Sequence, residues 1–133
     1  MAGTLTISTL SDGTNSTSST NCIQGSARAW VQFQGGNGNT AGTINGSYNV
    51  SSITVNGTGD FTLNFTNAMS DANYAALATA NQNAGGNPAN VSVGYPDNSS
   101  TVTYSTTQVR FLVKFGTGSS QLDPTTLSVA IFR

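Results

Sequence analysis

The sequence predicts an all-β protein, an antiparallel β-sandwich of jelly-roll-like type with an extended N-terminal arm. Several short runs place an apolar residue at every second position, which is the period of a strand with one buried face. Stretches rich in Gly, Asn, Ser and Thr separate these runs, as turns do in antiparallel sheets. Signals for helix are sparse. The best of them covers residues 68–80, which we interpret instead as a turn at 70–73 followed by a strand.

Residues 1–26 are predicted to form an attachment arm, and residues 27–133 the sandwich domain. The arm begins with a short strand and continues in a Ser/Thr/Asn-rich run at 11–25, a composition typical of an extended linker. An extended segment can add a strand to the sheet edge of a partner, where main-chain hydrogen bonds supply the affinity. The apolar residues expected to anchor such an arm are Leu5, Ile7 and Leu10.

Alternation with a period of two defines the strands of the domain. In the four clearest runs the apolar positions share one face, which each run is expected to bury. These positions are Ala29, Val31 and Phe33; Phe61, Leu63 and Phe65; Val109, Phe111, Val113 and Phe115; and Leu127, Val129 and Ile131. The predicted strands are residues 4–9, 27–34, 47–55, 60–66, 73–80, 91–95, 100–106, 108–115 and 126–132.

Turn signals separate the predicted strands. Residues 56–60, Asn-Gly-Thr-Gly-Asp, predict a hairpin loop because Asn and Gly accept a positive φ. Further turns are expected at 97–100 and at 117–123, the second of them closed by Pro124. The Gly/Asn-rich stretch 35–46 is longer than most loops of a compact domain, and we expect it to be exposed.

Few residues of this chain can carry out chemistry. It has no His and no Glu, and its four cations and five anions give a net charge of −1. Scattered cations disfavour nucleic-acid binding, which depends on neutralising phosphates. Asp12, Asp60 and Asp97 are predicted to lie in turns and to bond the local backbone there, which disfavours a catalytic pair of carboxylates. We therefore expect no catalytic residue, no metal and no cofactor, and calcium is worth testing only at Asp97 and Asn98.

The single cysteine and the N-terminal residues bear on where the protein is made. Cys22 has no second cysteine to pair with, so an intrachain disulfide is impossible and folding in a reducing compartment is expected. We interpret Cys22 as an incidental thiol, with an interchain disulfide or a subunit contact as the alternatives. Residues 1–10 lack the features of a signal peptide, and no stretch has the length of a transmembrane helix. Synthesis in a cytoplasm and no membrane partner are expected.

The aromatic residues suggest contacts between subunits or with sugars. Trp30 is out of phase with Val31 and Phe33, so we expect it to face a second layer or a neighbouring subunit. Aromatic side chains mostly pack cores and interfaces, but beside Asn-rich loops they can also stack on sugars. The candidates for glycan or subunit contact are Trp30, Tyr48, Tyr95 and Asn98. Because the chain has too few charges to protect its sheet edges, a homo-oligomer is favoured, and a trimer is expected.

Three stretches of this chain resemble a family of small virion proteins and fibre C-terminal modules from tailed phages of marine bacteria and cyanobacteria. They are Ala-Trp-Val-Gln-Phe at 29–33, Ser-Tyr-Asn-Val-Ser-Ser-Ile-Thr at 47–54 and Asn-Gly-Thr-Gly-Asp-Phe-Thr-Leu-Asn-Phe at 56–65. Asp-Ala-Asn-Tyr at 71–74, the last residues 129–133 and the opening strand near residues 3–7 extend the similarity. The resemblance implies a β-sandwich, commonly trimeric, carried on the virion surface. The chain differs from a long fibre in lacking a coiled coil and a shaft.

The function expected from composition and resemblance is that of a non-enzymatic structural protein of a bacteriophage, made in the host cytoplasm and displayed on the virion surface. Its place would be a tail fibre or short appendage, where it would bind other virion proteins and contact host surface polysaccharide. The alternative is a capsid decoration protein that coats or stabilises the head. A polysaccharide-degrading enzyme is disfavoured by the missing His and Glu. A free carbohydrate-binding module is the remaining alternative.

Overall fold

The computed structural model describes residues 3–35, 42–81, 89–93, 104–116 and 120–133. These residues form a mostly β structure in which every strand pairing is antiparallel. The elements are β1 Thr9–Ser11, β2 Ser16–Ser18, α1 Ser19–Gly25, β3 Ala27–Phe33, β4 Ile44–Tyr48, β5 Val50–Gly57, β6 Asp60–Phe65, β7 Ala75–Asn81, β8 Ala89–Val93, β9 Gln108–Phe115 and β10 Thr126–Phe132.

The strands beyond α1 form two four-stranded sheets. Sheet I has the order β4-β3-β10-β7, and sheet II has the order β5-β6-β9-β8. The neighbours β3–β4, β5–β6 and β8–β9 are consecutive in the chain as well as in a sheet. A jelly roll alternates successive strands between its two sheets. Among the described strands, the pairing therefore differs from the jelly-roll-like connectivity predicted from the sequence.

Strands predicted at 27–34, 60–66, 73–80, 108–115 and 126–132 are confirmed as β3, β6, β7, β9 and β10. Residues 70–73 precede β7 without forming a helix, as expected. The hairpin loop predicted at 56–60 is also confirmed, because Gly57 pairs with Asp60 and Gly59 has a φ of 65°. The turn at 97–100, most of the strand at 100–106 and most of the loop at 35–46 lie outside the described residues.

The strand predicted at 47–55 is wrong in one respect, because the chain changes sheets within it. Tyr48 ends β4 in sheet I and Val50 begins β5 in sheet II, so Asn49 alone forms the corner. Its φ of 55° is left-handed, a conformation that Asn adopts more readily than most residues. The Asn49 side chain accepts a hydrogen bond from the Asn67 amide at 2.8 Å and donates to the Arg28 carbonyl oxygen at 3.2 Å.

The N-terminal segment differs from the strand predicted at 4–9 and from the extended run predicted at 11–25. The strand lies at Thr9–Ser11 and pairs with β2 in a small hairpin, and α1 follows. Asp12 closes the hairpin by accepting hydrogen bonds from the amides of Thr14 and Asn15 at 2.9 and 2.7 Å, so its predicted turn role is confirmed. Ser18 then caps α1 by accepting a hydrogen bond from the Asn21 amide at 3.1 Å.

Both sheets contribute to one hydrophobic core. The predicted apolar faces of β3, β6 and β10 are buried in it, as are Val109, Phe111 and Val113 of β9. The ring centroids of Phe33 in sheet I and Phe61 in sheet II lie 5.3 Å apart in an edge-to-face contact. Burying a side chain of this size stabilises the fold by about 1.5–3 kcal/mol.

Candidate binding surfaces

The outer face of sheet I carries a row of apolar side chains that crosses all four strands. Strand register places Tyr48 of β4 opposite Trp30 of β3, Trp30 opposite Ala130 of β10, and Ala130 opposite Leu77 of β7. Residues directly opposite one another in an antiparallel ladder point to the same side of the sheet. Tyr48 is 59% exposed, Trp30 43% and Leu77 56%. We call these four residues the aromatic row.

The Trp30 indole lies against the neighbouring strand β4. A Cβ placed on Gly46 would lie 3.4 Å from the indole carbons Cη2 and Cζ3 of Trp30, so the indole covers this glycine. The next row of the same face is polar and consists of Gly46, Gln32, Ser128 and Thr79. An exposed ring beside amide and hydroxyl groups can stack on a sugar or pack against another subunit, as the sequence predicted for Trp30 and Tyr48.

A cleft of about 320 Å³ opens where the aromatic row ends at Tyr48. A second cleft of about 500 Å³, partly lined by α1, shares Arg28, Ser70 and Arg133 with it. We call the two together the arginine cleft. The residues that line its sheet side are Arg28, Tyr48, Asn49, Asn67, Ala68, Met69, Ser70 and Arg133.

The two arginines of this cleft have different partners. Arg133 forms an ion pair with Asp71, and Asp71 also accepts a hydrogen bond from the Asn73 amide at 2.7 Å. That amide and the Arg133 guanidinium lower the pKa of the exposed Asp71 carboxyl. Arg28 Nε lies 3.4 Å from the backbone oxygen of Arg133, and no acidic side chain among the described residues pairs with it.

The three predicted anchor residues come together in the N-terminal segment. Leu5, Ile7 and Leu10 line an apolar groove of about 330 Å³ with Cys22 and Ile23 of α1. All three anchor residues are exposed, and so is Ile23. Residues 3–7 pair with no strand of the described chain. The groove therefore presents apolar side chains beside backbone groups that have no sheet partner.

On the face of sheet II that points away from the core, several polar side chains bond one another beside the buried Leu112. Asp60, 7% exposed, receives two hydrogen bonds from the Arg110 guanidinium, one of them from Nε at 2.6 Å. Asn56 donates to Asp60 at 3.1 Å and to Thr62 at 2.9 Å. The turn role predicted for Asp60 is thus incomplete, because this carboxylate begins β6 and anchors an ion pair across the sheet.

Tyr95 and Asn98 lie outside the described residues, and with them the calcium position that the sequence left open. Tyr74 is buried, and its hydroxyl lies 3.0 Å from the Ser105 carbonyl oxygen and 3.2 Å from that of Gln108. Sequence reasoning missed the arginine cleft, because Arg28 and Arg133 lie at opposite ends of the domain and only the pairing of β3 with β10 brings them together.

Over the described ranges, no three Cys or Asp side chains are grouped as metal ligands would be. In that same part of the chain, no helix has both the length and the apolar character needed to cross a membrane. Comparison of this chain with protein-family models, with curated protein sequences and with solved structures finds no match in any of the three.

Proposed function

We propose that this chain is a non-enzymatic structural protein of a phage virion, a tail-fibre or short-appendage component displayed on the particle surface that contacts host glycans. The observation that carries the proposal is the aromatic row, in which Tyr48, Trp30 and Leu77 are exposed beside a polar row of the same sheet face. Exposed apolar patches rimmed by polar residues mark binding surfaces. The resemblance at 29–33, 47–54 and 56–65 supplies the phage assignment, and the first two stretches contain Trp30 and Tyr48.

The architecture we propose is a β-sandwich assembled as a trimer. Two observations support the sandwich: buried side chains of both sheets belong to one core, and Phe33 of sheet I contacts Phe61 of sheet II. The sheet edges support assembly. The edge strands are β4 and β7 in sheet I and β5 and β8 in sheet II, and only 7% of the residues of the chain are charged. Sheet edges with few charges are prone to pair with other chains unless an assembly covers them.

The attachment proposed for residues 1–26 uses the N-terminal groove. Leu5, Ile7 and Leu10 would insert into the virion partner while the backbone of residues 3–7 pairs with the edge of its sheet. The more extensive contacts of β1, β2 and α1 are with one another. This arrangement suits a segment that belongs to the attachment site more than to the core of the domain.

Capsid decoration is the second candidate function, and one observation favours it. The described residues present two separate apolar surfaces, the N-terminal groove and the aromatic row. A protein that coats a shell needs one surface for the shell and another for its neighbours. In that case, the aromatic row would be covered in the particle and would bind no glycan.

Quantitative mass spectrometry of purified virions tests the proposal by counting this chain against the major capsid protein. A ratio of a few per cent supports a tail or fibre component, and a ratio near one-to-one or one-to-a-few supports capsid decoration. Absence from the particle overturns the virion assignment.

The attachment step has its own test in the same particles. Replacement of Leu5, Ile7 and Leu10 by Ser should abolish incorporation, and deletion of residues 2–24 should do the same. The matched control is Thr4→Ala with Thr6→Ala, which changes neighbouring polar positions and should incorporate normally. Unchanged incorporation of the deletion variant would show that the anchor lies elsewhere.

A further inference from the structure

The arginine cleft holds two of the four cations of the chain beside an exposed aromatic ring. Arg133 is paired with Asp71, and Arg110 with Asp60 on the other sheet. Arg28 has no acidic partner in the described part of the chain, and its bonded neighbour is the backbone oxygen of Arg133. The Nη atoms of Arg28 have no acidic side chain to pair with among the described residues, and this edge of a guanidinium can bind an anionic group.

Tyr48 makes the cleft suited to a sugar. Its ring is exposed, lines the cleft and lies opposite Trp30 at the end of the aromatic row. A pyranose can stack its apolar C–H face on such a ring, while a group carried on the edge of the sugar reaches the arginine. The volume of about 320 Å³ lies within the range usual for small-ligand sites.

Polar atoms for the sugar hydroxyls line the same wall. Among the described residues, Ser70 Oγ and Asn67 Oδ1 have no hydrogen-bond partner, whereas Asn67 Nδ2 donates to Asn49 at 3.2 Å. The Asn49 side chain already makes the hydrogen bonds of the corner between the sheets, to Arg28 and Asn67. The cleft is thus lined by the positively charged guanidinium of Arg28, the hydroxyl of Ser70, the amide oxygen of Asn67 and the exposed ring of Tyr48.

From this combination we infer that the arginine cleft binds a saccharide residue bearing a carboxylate, with Arg28 on the carboxylate and Tyr48 beneath the ring. The inference rests on the glycan contact of the proposed function and names the class of glycan. A guanidinium holds a carboxylate through two parallel hydrogen bonds, so it distinguishes an acidic sugar from a neutral one. Arg133 lies beside Arg28 in the cleft and is paired with Asp71.

The test is titration of the full chain with tri-galacturonate and with its methyl ester, which keeps the sugar rings but removes the charges. Binding is followed by calorimetry and by the fluorescence of Trp30, the only tryptophan. Tri-galacturonate should bind at low salt at least roughly tenfold more tightly than the ester, since a charge-assisted hydrogen bond contributes about that factor. Molar NaCl should reduce the difference.

Variants separate the cleft from general charge attraction. Arg28→Gln should weaken tri-galacturonate binding by about tenfold or more, and Arg28→Lys by less, because lysine keeps the charge but loses the fork. Tyr48→Ala should weaken binding of both the acid and the ester, and Tyr48→Phe should retain it. Lys114→Gln is the matched control, since it removes one positive charge outside the cleft and should leave the affinity unchanged.

Three results would overturn the inference: no binding of tri-galacturonate, equal affinities for acid and ester, or an equal loss in Arg28→Gln and Lys114→Gln. These results are distinguishable from failure of the proposed function. A chain that is counted in virions but binds no acidic sugar retains its structural role and loses the ligand. A chain that binds the acid selectively but is absent from virions retains the cleft and loses the phage assignment.

Discussion

The outer faces of the two sheets differ in how their side chains are satisfied. On sheet II, Asp60, Arg110, Asn56 and Thr62 bond one another, and Asp60 and Thr62 are almost completely buried. On sheet I, the aromatic row leaves rings in contact with water, and the polar groups beside it are on short side chains or on Gln32. Side chains that bond one another within a sheet stabilise the single chain. Exposed aromatic side chains gain more free energy when a partner removes them from water. Among the described residues, exposed aromatic rings thus distinguish sheet I from sheet II.

The largest effect should come from placing a methyl group on a glycine of each sheet. Gly59, in the hairpin of sheet II, has a left-handed φ of 65°, and a Cβ there would lie 2.5 Å from the Val113 carbonyl oxygen. Gly59→Ala should therefore lower the free energy of unfolding by about 2–5 kcal/mol. Gly46→Ala on sheet I meets only the Trp30 ring and should cost about 1 kcal/mol or less. Urea unfolding of both variants measures the difference, and equal losses would contradict it.

The second comparison removes one side chain from each outer face. Asp60→Ala takes away the bidentate partner of Arg110 and should cost about 2–3 kcal/mol, somewhat less than a fully buried pair because the Arg110 side chain is 27% exposed. Trp30→Ala should cost about 1 kcal/mol, because much of the ring is already in water.

Thermal and urea unfolding should therefore rank Asp60→Ala as the less stable protein. Asp60→Asn serves as the control for side-chain size and should fall between the wild type and Asp60→Ala. A larger loss from Trp30→Ala would mean that the aromatic row is part of the monomer's own stability.

A third prediction concerns the corner that joins the two sheets. Asn49→Ala loses the hydrogen bonds to Asn67 and Arg28 and places alanine at a left-handed φ, so it should cost about 2 kcal/mol. Asn49→Gly loses the same bonds but accepts the φ, and should cost about 1 kcal/mol. Equal unfolding free energies for the two variants would show that backbone conformation at the corner contributes nothing.

The smallest effect should come from Tyr74, which precedes sheet I and contacts the segment leading into sheet II. Tyr74→Phe removes a hydrogen bond to backbone carbonyl oxygens and should cost about 1 kcal/mol at neutral pH. Burial raises the pKa of Tyr74 from 10.0 to about 12. Between pH 10 and 12, the folded state keeps the Tyr74 proton that the unfolded state loses. The contribution of the Tyr74 hydroxyl to the free energy of unfolding is therefore complete below pH 10 and is lost as the pH rises towards 12.

Unfolding free energies of wild type and Tyr74→Phe across that window test the prediction. The difference in unfolding free energy between wild type and Tyr74→Phe should shrink steadily above pH 10. Titration of every other group is common to the two proteins and cancels in this difference. An advantage that stays constant to pH 12 would contradict the raised pKa.

How much the sequence could predict depended on whether local or distant residues decide the structure. The strands β3, β6, β9 and β10 follow from a period of two within each run. The break at Asn49 could not be read from that period, because the runs on both sides continue as strands and only their sheets differ. The helix α1 was missed because Ser and Thr are weak helix formers, although Ser18 is a good N-cap. The arginine cleft depends on pairing across 105 residues, which no local pattern reports.

The first and last strands of the two-sheet body lie side by side. Ala27 at the start of β3 pairs with Phe132 near the end of β10, so the chain enters and leaves this body at one point. Domains whose ends meet in this way tolerate insertion into loops of other proteins and circular permutation. The body could therefore be transplanted as a unit into a surface loop of another scaffold. There it would carry both sheets without the N-terminal segment, residues 1–26, that precedes it here.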